Sequence, residues 1–181
     1  GISTSTFGYK LYSENKYGIA FAKAFGPNLS AGVQLDYFNT KIAEGYGSVG
    51  VPAVEMGIQA KLTKNLSLGS HLFNPTKATL ADHNNERIPT VMRLGLAYTF
   101  SDKVIVVAEV QKDIVYKPIF KFGVEYHPRK ELYLRTGFST NPATNTFGFG
   151  YVLKKIKVDF ASSFDSALGF TPYAGLIYGI E

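Results

Sequence analysis

Between Pro118 and Tyr126, the residues Phe120, Phe122, Val124 and Tyr126 fall on one parity, and Ile119, Lys121, Gly123 and Glu125 fall on the other. A repeat of two is the side-chain period of a β-strand, so one face of this segment is aromatic or aliphatic and the other small or charged. The pattern recurs in Thr90, Met92, Leu94, Leu96, Tyr98 and Phe100 against Val91, Arg93, Gly95, Ala97 and Thr99. It returns in Leu29 to Tyr37, in Phe147, Phe149, Tyr151 and Leu153, and in Ile156, Val158, Phe160 and Phe164. No stretch carries the three-four spacing and caps of an amphipathic helix. The alternation predicts an all-β chain with strands at about 7–12, 17–25, 29–38, 53–62, 66–73, 89–100, 104–111, 118–126, 131–138, 146–153, 156–164 and 171–180.

The connections alternate in character. Gly26-Pro27-Asn28, Thr63-Lys64-Asn65, Ser101-Asp102-Lys103, His127 to Lys130 and Lys154-Lys155 read as tight turns, whereas 39–52, 74–88, 112–117, 139–145 and 165–170 are longer and rich in Asn, Gly, Pro and Thr. The first connection, Ser13 to Lys16, is short. Tight turns on one side and longer loops on the other are the habit of outer-membrane barrels. Composition agrees: 14 Phe, 12 Tyr and 18 Gly accompany only 18% charged residues, and the small-and-charged parity is too rich in glycine to cover a water-exposed surface. Lipid outside and a polar lumen inside account for both faces. The expected fold is therefore an antiparallel up-and-down transmembrane β-barrel of about twelve strands, one domain spanning 1–181. The competing class is a soluble β-barrel or sandwich that binds a small apolar ligand, because periodicity does not say which face is wet.

Other classes are excluded more directly. The longest apolar run, Val104 to Ala108, is far short of a spanning helix. The absence of cysteine removes disulfide frameworks and thiolate metal sites. The net charge of +5 is scattered, with no basic face of interleaved aromatics, so no nucleic-acid partner is expected. The start at Gly1 shows no signal-like apolar stretch, and the residues preceding Ile2 in the gene would show whether a leader or a plug comes first.

From Arg93 onward the chain resembles the C-terminal part of the FadL-like outer-membrane barrels of Bacteroidetes, especially the group typified by the type IX secretion proteins PorV and PorQ. The residues that carry the resemblance are Arg93 to Tyr98, Glu109 to Asp113, Gly123 to Tyr126, Leu134 to Phe138, Phe147 to Tyr151, Val158 to Ala161 and Leu168 to Thr171. The first half is similar in style only, as in Asn65 to Gly69. Such barrels usually begin with a plug segment carrying Asn-Pro-Ala, whereas here Asn141-Pro142-Ala143 lies in a late loop, and the end Ile177 to Glu181 lacks a terminal aromatic. The resemblance thus implies a truncated barrel, part of a larger one, in the bacterial outer membrane. It implies passage or binding of hydrophobic small molecules, or docking of secretion-system proteins, with no enzymatic activity and no cofactor.

Local motifs add little chemistry. Gly45-Tyr46-Gly47-Ser48-Val49-Gly50 spells G-x-G-x-x-G, but a dinucleotide site needs a helix next, and Val51-Pro52 leads into an alternating segment. Asp82, His83 and Glu86 could form an acid/base group on a loop, yet no motif places a nucleophile near them. His71 is expected to face the lumen and His127 to occupy a turn, and three scattered histidines make no metal site.

Two sets of residues carry the functional expectation. Leu94, Leu96, Phe120, Phe122, Phe147, Phe149 and Phe160 are expected to face lipid. Arg93, Glu109, Lys121, Glu125, Arg135 and Asp159 lie on the polar parity and are expected in the lumen, with Glu109, Lys121, Glu125 and Arg135 forming one network. Such a set either fills the lumen structurally or selects what passes. The loops 39–52 and 74–88 are expected to be extracellular and mobile.

Overall fold

The structure is a computed structural model and describes residues 1–42, 47–81, 86–166 and 169–179. In chain order the strands are β1 (Ile2–Tyr9), β2 (Tyr12–Ala24), β3 (Leu29–Ile42), β4 (Gly47–Lys61), β5 (Leu66–Phe73), β6 (Thr79–Ala81), β7 (Glu86–Arg87), β8 (Val91–Ser101), β9 (Val104–Asp113), β10 (Ile119–Arg129), β11 (Leu132–Ser139), β12 (Thr144–Leu153), β13 (Ile156–Asp165) and β14 (Gly169–Tyr178). Twelve of them form one sheet in chain order, and β6 and β7 pair separately as a two-stranded ribbon. The pairs from β1 to β4 and from β9 to β14 are antiparallel, and no helix occurs among the described residues.

The count of twelve agrees with the sequence reading, but several boundaries do not. The first hairpin turns at Lys10 and Leu11, with Tyr9 paired to Tyr12, so the expected strand 7–12 straddles a turn and the expected connection Ser13 to Lys16 lies inside β2. Gly8 permits this close return: its φ is +115°, and a side chain there would meet the backbone of Tyr12 and Ser13. Residues 39–52 were expected as a loop. Instead β3 and β4 stay paired from Leu29↔Ala60 to Ile42↔Gly47, leaving only 43–46 between them. Glycine, proline and asparagine make this segment look like a loop in the sequence, but its backbone continues the ladder.

Cα packing divides the chain into two compact units. The first comprises Gly1–Ala60, Gly69–Arg93 and Lys112–Tyr116; the second comprises Lys61–Leu68, Leu94–Gln111 and Lys117–Glu181. In the first unit the deepest burial is around Asn74, whose side chain is fully enclosed, together with Ala53, Ile88 and Val91. Asn74 adopts φ +50°, a conformation that asparagine tolerates better than most residues. Its Nδ2 donates to the carbonyls of Ile88 (2.9 Å) and Ala78 (3.3 Å), and its Oδ1 accepts from the Ala78 N–H (2.9 Å) and Thr76 Oγ1 (3.1 Å). Its own N–H reaches the Val54 carbonyl, and its carbonyl accepts from Thr90 Oγ1. One side chain thus ties both ends of the 74–90 connection to each other, so its described parts are structured rather than free.

The faces follow the registers. In the first unit, Ile19↔Leu35↔Val54 and Phe21↔Val33↔Met56 share the apolar face, while Gly18↔Asp36↔Ala53 and Ala20↔Gln34↔Glu55 share the polar one. In the second unit, Phe149 pairs with Phe160 on the apolar face and their rings stack at 5.3 Å between centroids. Leu94, Leu96, Phe120, Phe122, Phe147, Phe149 and Phe160 are 43% to 60% exposed, far too open for a soluble core.

Candidate functional site: charge clusters on the polar face

The polar face of each unit carries a compact ionic cluster. In the first unit, Lys16 on β2 bonds Glu55 on β4 and lies 3.3 Å from Asp36 Oδ2 on β3. Gln34 Nε2 donates to Asp36 Oδ1 at 2.8 Å, and His71 Nε2 on β5 meets Glu55 Oε2 at 2.8 Å. The Asp36 side chain is wholly shielded from solvent. The Lys16 ammonium lies 5.5 Å from the Phe38 ring centroid and 5.3 Å from that of Phe73, and the two rings meet edge to face at 6.0 Å. Gly18 makes room for this arrangement, since a Cβ there would stand 2.7 Å from Asp36 Oδ1 and 2.8 Å from Gln34 Nε2.

In the second unit, Arg135 on β11 clamps two carboxylates: Nε bonds Glu125 on β10, and Nη1 bonds Asp159 on β13 at 2.5 Å. His127 Nε2 meets the other Glu125 oxygen at 2.6 Å, and Lys157 lies 3.8 Å from Asp159 Oδ2. Tyr133 is the aromatic floor, with Arg135 and Lys157 at 5.4 and 4.8 Å from its ring and His127 edge-on at 4.3 Å. A glycine again makes the space: a Cβ on Gly150 would meet Asp159 Oδ1 and stand 3.3 Å from Arg135 Nη1.

Lys121 stands apart from that clamp. It bonds Glu109 at 2.9 Å and Gln111 at 2.7 Å across β9 and β10, where Lys121 and Glu109 are register partners. The expected single network of Glu109, Lys121, Glu125 and Arg135 is therefore two groups, because guanidinium geometry favours the cross-strand pair Glu125↔Arg135 and the ammonium takes its own opposite carboxylate. Arg93 is exposed and joins neither group; it has no hydrogen-bond or ion-pair partner among the described residues. His127, expected in a turn, lies in β10 at an irregularity between Tyr126 and Arg129.

The sequence reading missed Lys16, Asp36 and Glu55. Asp36 and Gln34 already sat on a polar parity, and 53–61 reads Ala, Glu, Gly, Gln, Lys on alternate positions; placing Lys16 in a turn hid the third member. Of the G-x-G-x-x-G motif, Gly45 and Tyr46 lie outside the described residues, and Gly47 to Gly50 begin β4 with no helix after them. Asp82 and His83 also lie outside the described residues, and Glu86 begins the short β7. In both clusters the carboxylates are held by neighbouring donors, Lys16 and His71 in one and Arg135, His127 and Lys157 in the other, an arrangement that suits a fixed lining.

Among solved structures, the Pseudomonas putida toluene transporter TodX superposes with a TM-score of 0.68 at 16% identity, over 92% of this chain and 67% of that one. The fold is that of an outer-membrane β-barrel. The monoaromatic hydrocarbon channel CymD gives a TM-score of 0.61 at 13% identity over 97% of this chain and 75% of that one. The KdgM porin gives 0.59 at 9% identity over 93% of both. In another TodX structure the match spans 64% of that chain, at 84% of this one. No family model and no curated protein sequence matches the chain.

Proposed function

We propose that this chain is a FadL-like barrel of the bacterial outer membrane that admits hydrophobic small molecules, without catalysing a reaction. The observation that carries this reading is the likeness of the sheet, over nine-tenths of its length or more, to a toluene transporter and a monoaromatic hydrocarbon channel. The two faces support it. Leu94, Leu96, Phe120, Phe122, Phe147, Phe149 and Phe160 form the lipid-facing set, because exposed apolar side chains in rows gain from acyl chains what they would lose in water. Glu109, Lys121, Glu125, Arg135 and Asp159 in one unit, and Lys16, Asp36 and Glu55 in the other, are the paired charges assigned to the lumen side, to which Arg93, unpaired among the described residues, also belongs by its parity. Docking of secretion partners, which the PorV and PorQ resemblance implies, gains no support from these likenesses.

The test is uptake of labelled toluene by cells carrying the protein in an intact outer membrane, with oligogalacturonate as the polar comparison. Faster toluene entry with unchanged oligogalacturonate entry is expected. Entry of oligogalacturonate alone would assign a porin role instead and overturn the hydrophobic one.

A further inference from the structure

The two faces of β3 and β4 exchange character along their length, while β2 turns polar on both. On the turn-proximal side of the Tyr17↔Tyr37↔Pro52 rung, the Tyr17-bearing face is apolar, with Ile19↔Leu35↔Val54 and Phe21↔Val33↔Met56. Beyond that rung, the same face becomes Asn15↔Asn39↔Gly50 and Ser13↔Lys41↔Ser48, which is polar. On the opposite face β4 becomes apolar and β3 gains Phe38, while β2 carries the charged Lys16 and Glu14. There Gly18↔Asp36↔Ala53 gives way to Lys16↔Phe38↔Val51 and Glu14↔Thr40↔Val49, with Phe7 of β1 paired to Glu14. A strand that leaves lipid for water no longer needs an apolar outer face, and the apolar side chains it keeps are better shielded on the inner one. The tyrosine pair at the changeover suits an interface, where an apolar ring and a polar tip are both satisfied.

Beyond the rung, the inner wall therefore offers Phe7, Phe38, Val49 and Val51 around one carboxylate, Glu14. The Tyr12 hydroxyl bonds Glu14, and no cation pairs with it among the described residues. Lys16, one alternate position along β2, is already engaged by Asp36 and Glu55. Asp36 and Glu55, on the turn-proximal side of the tyrosine rung, take up Lys16 and the His71 imidazole, so neither is left to neutralise Glu14. The whole chain is cationic, at a formal +5, which makes this local sign a property of the wall and not of the protein at large.

We propose that this wall is a capture site for hydrophobic amines: molecules with a ring or short alkyl body and a positively charged nitrogen. The body lies against Phe7, Phe38, Val49 and Val51, and the nitrogen donates to Glu14. A hydrophobic acid of the same shape meets an unpaired carboxylate and is disfavoured. The assignment rests on the passage reading above and narrows its substrate class.

Calorimetric titration of the full chain in lipid nanodiscs with 2-phenylethylamine, 3-phenylpropionate and 2-phenylethanol tests it. The amine is expected to bind about tenfold more tightly than the acid, a difference within reach of one charge-assisted hydrogen bond. Glu14→Gln should bring the amine to the level of the alcohol and leave the alcohol unchanged. Val51→Ser should weaken all three together. Both variants are checked for heat-modifiable gel mobility, so that a folding failure is not read as lost binding. An acid that binds as well as the amine, or a preference that survives Glu14→Gln, overturns the proposal. Toluene uptake without an amine preference overturns this inference alone, whereas an amine preference without uptake overturns only the passage reading.

Discussion

Gly18 stands directly opposite Asp36 in the β2–β3 ladder, and the missing side chain is what lets the Asp36 carboxylate and the Gln34 amide share the space above it. The cluster is therefore specified as much by an absent Cβ as by its charges. Gly18→Ala is expected to destabilise the folded protein by about 1–3 kcal/mol through overpacking. Gly69→Ala, where a Cβ meets nothing within 4 Å, should change stability by no more than about 0.5 kcal/mol. Urea titration of protein folded into lipid vesicles measures both.

The orientation of the sheet is tested by moving a charge from one face to the other. Phe122→Arg places a cation on the apolar face, where it costs about 2–4 kcal/mol at the bilayer midplane. Thr171→Arg places the same cation on the opposite face of β14 and should be close to neutral. Equal losses of folding yield in vesicles would remove the assignment of lipid and lumen faces.

Lys121 and Glu109 form a pair that can be dissected. Lys121→Met leaves the carboxylate without its cation, so it should be more destabilising than Lys121→Met combined with Glu109→Gln. A coupling of roughly 0.5–3 kcal/mol is expected within this pair. Lys121 and Asp159 share no partner, and their substitutions should add to within about 0.5 kcal/mol. A double-mutant cycle in urea gives both values, and strong coupling between Lys121 and Asp159 would restore a single network.

Asn74→Ala removes the acceptor and donors that hold the 74–90 connection together. A loss of about 2–3 kcal/mol is expected from the buried backbone groups left without partners. External protease should then cut within 75–90 of the variant much faster than in the parent protein, while Ser101 to Lys103 stays intact. Unchanged cleavage would mean that the connection is held by other contacts.

Much of the fold was legible because period-two alternation is a backbone property written in side chains. The strands around Phe122, Phe149 and Leu96 each put a different chemistry on each face, and their positions could be read directly. The start of the chain could not be read in this way. Ser13, Glu14, Asn15 and Lys16 are polar on both parities, so the strand that holds them looks like a loop until its register with β3 is known. The same blind spot concealed Lys16 as the centre of an ionic cluster, and extended β3 and β4 beyond their expected ends. The members Glu125, Arg135 and Asp159 were legible one by one. Their grouping was not, because parity assigns a face and says nothing about which neighbour a flexible side chain selects.

Arg135 reaches from β11 to Asp159 on β13, passing across β12 where Gly148 and Gly150 present no side chain. A hairpin ladder normally comes apart one seam at a time, each strand parting from its neighbour. Here the guanidinium is a stitch that skips a strand, so opening the seam between β11 and β12 also strains a bond to the strand beyond. The parting of the three strands is thereby coupled, and the two glycines of β12 are what allow the thread to pass.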